Sequence, residues 1–364
     1  MINPKNSSIS LEVDPELPSR NRAGRGHGRA TQATVAKRAG VTTMTVSRFL
    51  RSPQLVAPET ACRISAALAE TGYTPNKQAG MLATGQSSMV AAIIPSIASS
   101  IFAESVQGLS DTLQAHGLEL LLASTNYSLE REEEQIRAVL GWSPSGLVVT
   151  GRRHSPGALS LMRQAQRNGM PVLEIWDHDP TDKAFAQIGF SHRAVGALMA
   201  TYLVERGYRD VVYVDSGVRE DFRAHERGQS FAATAHAAGI SVAVYQATSL
   251  EPMQAGRLAL QALQKTGLPR AMAFANDHLA AGAFMQASDQ GIDIPGKVAM
   301  LGFGDFPISS QLGAGLSTVS VKRYDIGRKC AELLLAMQQA LKAGRMILPQ
   351  HEVLQPELVC RSST

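Results

Sequence analysis

Within seven residues, Thr42-Thr43-Met44-Thr45-Val46-Ser47-Arg48, the chain gathers four hydroxyls, a thioether and a guanidinium. Short hydroxyls donate and accept hydrogen bonds at little entropic cost. A guanidinium gives two parallel bonds to a planar pair of acceptors, such as guanine O6 and N7, or clamps a phosphate. At about 100° per residue, Val46, Phe49 and Leu50 fall on one side of a helix, and Thr43, Met44, Ser47, Arg48 and Arg51 on the other. A helix entering the DNA major groove presents such a polar side, with its N-terminal residues toward base edges. A solvated surface helix has the same pattern, so the neighbouring sequence has to decide.

The elements that would position this helix flank it. Val35 to Ala39 reads as a preceding helix, and Gly40 as a corner where the backbone takes a positive φ. Thr42 suits the cap of the second helix, a phosphate contact, or both. Pro58 begins a third helix, where its missing N–H costs nothing, and Ala61, Ile64, Ala67, Leu68 and Thr71 give that helix an apolar stripe. Gly72 ends it. Residues 30–73 thus form a small helix–turn–helix domain. Residues 74–88, with Gly80 and Gly85, form a weak hinge helix too short to persist alone. Residues 1–29, with the run Arg22 to Arg29, read as a disordered basic arm.

Charge supports the nucleic-acid reading. From Leu17 to Pro58 there are eight basic residues and no acidic one. The net charge of the whole chain is only +4, so a basic head precedes an acidic body. The chain lacks the roughly 20-residue apolar run that would span a bilayer and begins without a secretory signal pattern. Its three cysteines, Cys62, Cys330 and Cys360, have no metal-ligand spacing and suit a reduced, cytoplasmic protein.

From Met89 apolar strands alternate with amphipathic helices, and the set occurs twice. This predicts two parallel, doubly wound sheets in two lobes, a first of 89–190 plus 322–343 and a second of 191–321 plus 344–364. A helix over Arg323–Ala343 and one terminal strand around Glu352–Cys360 close the chain. Ligands of such sheets lie outside the carboxyl ends of the strands.

These residues resemble the lac repressor/purine repressor family of bacterial regulators. The head carries Val35-Ala36, Gly40-Val41-Thr42, Thr45-Val46-Ser47-Arg48, Gly72-Tyr73, Pro75-Asn76 and Leu82-Ala83. The body carries Phe102-Ala103-Glu104, Gly146-Leu147-Val148, Glu205-Arg206-Gly207-Tyr208, Ala275-Asn276-Asp277 and Leu301-Gly302-Phe303. Met44 to Arg51, His154-x-Pro156 and Pro171-Val172-Leu173-Glu174 are similar to the gluconate-repressor branch. The resemblance implies a periplasmic-binding-protein-like core and a homodimer on a palindromic operator. It places Thr43 and Met44 at base edges and Leu82 as a wedge between base pairs. Ala79 falls in the paired-hinge contact, with Asn76 and Lys77 on phosphates.

By family position the effector cleft takes Ser96, Ile101, Phe102, Trp176, Asp177, Arg219, His225, Leu250, Asn276 and Asp305. Departures matter here. The resembling regulators often have arginine where His225 stands, aspartate where Gly304 stands, and aspartate–asparagine where Ser191-His192 stands. The lost carboxylate, with Arg152, His154 and Arg219 retained, favours a ligand bearing its own carboxylate, such as gluconate or a ketogluconate. A neutral sugar or another metabolite is the alternative within the family. Outside it stand a soluble sugar-binding protein, opposed by the basic head, and a sugar-acid enzyme. No phosphate loop, nucleophile elbow or His-Glu-x-x-His motif is present, and neither a cofactor nor a metal is expected.

Overall fold

Thr31 opens the first helix, α1 (Gln32–Ala39). Its hydroxyl accepts from the Thr34 N–H, and the Thr34 hydroxyl accepts from the Thr31 N–H, both at 3.3 Å. Gly40 turns the corner at φ 66° and Thr42 caps α2 (Thr43–Arg51). Pro58 starts α3 (Pro58–Thr71), which Gly72 ends at φ 61°. Val35, Ala36, Ala39, Val46, Ile64 and Ala67 form the buried core, with Phe49, Leu50 and Leu68 packed around it. At about 1.5–3 kcal/mol for a fully buried large aliphatic side chain, a core this small holds three short helices and little more.

The computed structural model describes residues 30–74, 87–97, 100–182, 184–249, 251–345 and 349–364. The arm expected over 1–29 and the hinge positions Asn76, Lys77, Ala79 and Leu82 lie outside the described residues, as does Leu250. The chain divides into two compact units at Gly85/Gln86.

The second unit begins with β1 (Met89–Ile94), α4 (Ala103–Ala115), β2 (Glu119–Ser124), α5 (Leu129–Leu140), β3 (Leu147–Thr150), α6 (Pro156–Arg167), β4 (Val172–Ile175) and β5 (Ala186–Gly189). The pattern resumes with α7 (His192–Glu205), β6 (Val211–Asp215), α8 (Phe222–Ala237), β7 (Val242–Gln246), α9 (Pro252–Thr266), β8 (Ala271–Phe274), α10 (Asp277–Asp289), β9 (Ala299–Phe303) and β10 (Ser317–Ser320). It ends with α11 (Arg323–Lys342), β11 (His351–Val353) and β12 (Glu357–Val359). One sheet runs β11-β5-β4-β3-β1-β2 and is wholly parallel; the other runs β12-β10-β9-β8-β6-β7, with only β12 antiparallel. The central strands of both are buried along their length, which explains their continuous Val/Ile/Leu texture.

One expectation changes. The single strand expected around Glu352–Cys360 is two strands, β11 in the first sheet and β12 in the second. Pro356 lacks an N–H and restricts Gln355 before it, so pairing stops there and the chain crosses between lobes. Residues 344–364 are therefore divided between the lobes, not confined to the second. The chain crosses near 190, near 321 and near 355.

Two helix pairs touch backbone to backbone through facing glycines. A Cβ on Gly108 would lie 2.2 Å from the Tyr324 carbonyl oxygen, and one on Gly327 would lie 1.8 Å from that of Ser105, joining α4 to α11. Gly256 and Gly282 do the same for α9 and α10, each 1.9 Å from a facing carbonyl oxygen. Gly282→Ala should destabilise the second unit by about 1–3 kcal/mol in urea unfolding, because backbone cannot yield as a side chain does. An unchanged midpoint would show that the helices can separate freely.

Candidate DNA-reading surface and effector cavity

On α2 the two predicted faces separate. Val46 is fully buried, whereas Met44 is 70 % exposed, and Thr42, Thr43, Arg48 and Arg51 are exposed with it. Thr45 and Ser47 are half-buried. The Thr42 Oγ1 accepts from the Thr45 N–H at 3.2 Å and lies 2.9 Å from the Thr45 Oγ1. Only one of these hydroxyls donates to the other, so the second keeps a proton to offer outward. Arg38 is tied to Glu70, joining α1 to α3, while Arg48 makes no ion pair among the described residues. Among the described residues, the helix thus offers an exposed thioether, an outward hydroxyl proton and an unpaired guanidinium on one face.

In the second unit, the loops after β3 and β4 meet the first turns of α7 and α8 at the carboxyl ends of the strands. Arg152 donates from Nε to Asp177 Oδ1 at 3.1 Å and from Nη2 to Glu226 Oε1 at 2.9 Å. Glu226 also accepts from Arg193 Nε at 3.0 Å. An arginine of the first lobe is thereby joined to a carboxylate of the second. Arg153 lies over the Phe222 ring at 4.6 Å. Arg223, almost fully buried, stacks on Phe222 at 4.9 Å and approaches the Asp221 carboxylate only to 3.9 Å. Asp177 is buried and its Oδ2 has no hydrogen-bond partner. Burial raises its proton affinity above that of an ordinary aspartate, and the charges of Arg152 and Arg223 oppose this.

Beside the cluster opens a cavity of about 430 Å³, lined by Arg153, Arg193, Asp215, Phe222, His225, Glu226, Gln229 and Gln246 among others. His225 Nε2 stands 3.5 Å from Asp215 Oδ1. A cavity of this size suits a small polar metabolite, and its wall alternates cations, carboxylates and amides.

The expected cleft residues do not all gather there. His225 lines the cavity, and Arg152 and Asp177 adjoin it through Glu226. Phe102 and Trp176 pack edge to face at 5.1 Å inside the first lobe, and Trp176 Nε1 donates to Ser105 Oγ at 3.0 Å. Ser96 and Ile101 are half-buried nearby in sequence. Asn276 caps α10, its side chain accepting from the Leu279 N–H at 3.1 Å. Asp305 lines a separate cavity of about 250 Å³ with Glu104, Lys322 and Arg323, and its carboxylate is held by Arg361 at 2.8 Å. Arg219 is exposed and makes no ion pair among the described residues.

His154 requires correction as an effector contact. Its side chain is fully buried, with Nδ1 2.6 Å from Glu132 Oε1 and Nε2 3.3 Å from Glu174 Oε1. Glu174 in turn accepts from Gln187 Nε2 at 2.8 Å. Burial alone would push the His154 pKa down, but the bonds and charges of the two glutamates outweigh it and raise it to about 9. Both ring nitrogens are spent inside the first lobe, and none is left for a ligand. Arg152 is likewise not a free arginine, since Asp177 and Glu226 already occupy it.

His192 shows the opposite electrostatics. Its Nε2 donates to the Trp176 carbonyl oxygen at 2.8 Å and its Nδ1 accepts from Arg227 at 2.9 Å, which fixes a neutral tautomer. Burial and the adjacent Arg227 and Arg223 hold its pKa well below the usual histidine value. Sequence reasoning missed Arg153, Arg193, Arg223, Glu226 and Gln246. The Arg152-Arg153 doublet just past a strand, and three charges in five residues from Arg223 to Arg227, were the available signals.

Comparison with known proteins joins the two units. The family of bacterial regulatory proteins of lacI type matches residues 33–76, and the periplasmic binding protein-like domain matches residues 200–364. The HTH-type transcriptional regulator GntR of Pseudomonas aeruginosa is 34 % identical over 340 residues, 93 % of this chain and 96 % of that one. A solved LacI-family regulator from Silicibacter pomeroyi superposes with a TM-score of 0.81 at 32 % identity, covering 92 % of this chain and 99 % of that one. The lac repressor dimer bound to operator shares the fold at a TM-score of 0.77 and 23 % identity, over 92 % of this chain and 98 % of that one. Relatives of this identity and coverage are transcription regulators, not enzymes, and the chain belongs to the lacI family as a ligand-responsive, DNA-binding transcription regulator.

Proposed function

We propose that this regulator is a repressor of sugar-acid catabolism, acting in the cytoplasm as a homodimer on a palindromic operator and released when a sugar acid binds. The observation that supports the acidic effector is the cavity formed by β6, β7 and α8 of the second lobe with Arg153 of the first, where Arg153, Arg193 and His225 stand against a wall of amides and carboxylates. Arginine pairs a ligand carboxylate with two parallel bonds, and a polyol chain suits Gln229, Gln246 and Asp215. The likeness to GntR supports the same class. A thermal-shift series with gluconate, 2-ketogluconate, glucose and glucitol tests it. The acids should raise the melting temperature and the neutral compounds should not; stabilisation by glucose or glucitol alone would sink the acidic effector.

On the DNA side, Thr43 and Met44 meet base edges, Arg48 reads a guanine, and Thr42, Thr45 and Ser47 hold phosphates. Asn76, Lys77, Ala79 and Leu82 belong to the same proposal as hinge contacts. Arg48→Ala should relax preference at one operator position, with discrimination there falling by about 1–3 kcal/mol. Binding to a randomised half-site library reads this directly. A uniform weakening, with the salt slope reduced by about 0.9, would reassign Arg48 to a phosphate.

A further inference from the structure

We propose that Glu226 is a built-in stand-in for the effector's carboxylate, filling the anion position between Arg152 and Arg193 until an acidic ligand exchanges with it. The idea rests on the acidic-effector reading above. One oxygen, Glu226 Oε1, accepts from Arg152 at 2.9 Å and from Arg193 at 3.0 Å. Glu226 is buried, yet it and Arg193 line the cavity, with Arg152 behind Glu226, so an anion entering there meets the Arg193 side of the position first.

The surroundings favour exchange over simple opening. Asp177 keeps Arg152 fixed through Nε at 3.1 Å, so Arg152 stays behind when Glu226 leaves. The Arg193 side chain is 75 % exposed and can turn with whichever anion it pairs. Replacing one carboxylate by another keeps both arginines paired, whereas a neutral sugar displacing Glu226 would leave Arg152 with Asp177 at 3.1 Å and Asp179 at 3.7 Å and take from Arg193 its carboxylate. The same contact therefore selects for acids. It also couples selection to movement. Glu226 belongs to α8 of the second lobe and Arg152 to the first, so exchange replaces a tie between lobes with a tie to the ligand.

Calorimetric titration of the full chain with gluconate and with glucitol tests the exchange. Glu226→Gln keeps the shape and removes the competing charge, and it should bind gluconate about tenfold more tightly than the parent while glucitol binding stays the same. Glu226→Asp, which withdraws the carboxylate by one methylene, should fall between, and it serves if the glutamine variant folds poorly. Arg152→Gln should abolish the preference for gluconate. If the parent binds gluconate and both Glu226 variants bind it equally or more weakly, the stand-in is overturned while the acidic effector survives. If gluconate binds neither the parent nor the variants, the acidic effector itself is overturned, and the exchange with it.

Discussion

Replacing His154 by alanine should destabilise the sensor unit by about 3–5 kcal/mol, because it leaves Glu132 and Glu174 buried without their cation. The pair geometry supports so large a figure. The ring is fully buried, and each nitrogen faces a carboxylate that is itself almost inaccessible. The effect carries a pH signature. Folding raises the His154 pKa from 6.5 to about 9, so its contribution is full below pH 6.5 and is lost as pH rises through about 9. At about 1.4 kcal/mol for each tenfold gain in proton affinity, the amount at stake is roughly 3 kcal/mol. Urea midpoints measured between pH 6 and 9.5 should decline in the parent and decline far less in a His154→Gln variant. Parallel profiles would mean that the imidazolium is not what holds the glutamates.

Asp277→Ala should cost about 4 kcal/mol, since each buried donor left unsatisfied costs about 1–3 kcal/mol. Asp277 is inaccessible, and its carboxylate accepts from the Phe306 N–H at 2.8 Å, Ser309 Oγ at 2.7 Å and Thr318 Oγ1 at 2.6 Å. It also fixes a glycine, because a Cβ on Gly302 would lie 2.0 Å from Asp277 Oδ1. Asp277→Asn should be milder, at about 1 kcal/mol. Its amide oxygen can keep the Phe306 and Ser309 bonds, and its NH₂ can donate to Thr318 Oγ1 once that hydroxyl rotates. Equal losses in the two variants, measured by chemical unfolding, would show that the charge rather than the acceptor geometry is required.

The sequence spoke clearly where structure is local. The caps at Thr31 and Thr42, the corners at Gly40 and Gly72 and the Pro58 start all depend on neighbours within a turn, and the first unit follows from them. The buried parallel strands were equally plain, because a strand covered on both faces must be apolar throughout. The site was not legible in this way. His154 meets Glu132 across 22 residues, and Arg152 meets Asp177 across 25 and Glu226 across 74. Periodicity gives no information about such pairs. A histidine followed two places later by proline looks the same whether it faces a ligand or two buried glutamates, so residue type suggested the first and topology dictated the second. The tail illustrates the same limit, since Pro356 marked a break but not the sheet that each side would join.

The path of the tail bears on how the molecule is made. β11 completes the first lobe beside β5, yet it is the second-last strand in the chain. A growing polypeptide therefore holds an unfinished first sheet, with the β5 edge bare, through synthesis of β6 to β10 of the second lobe. The helix–turn–helix, whose contacts all lie within residues 30–74, is complete long before. Nascent chains thus carry a finished DNA reader on an unfinished sensor. A stop codon between Gln86 and His351 would leave the reader intact, and the partial sensor would expose a strand edge open to aggregation.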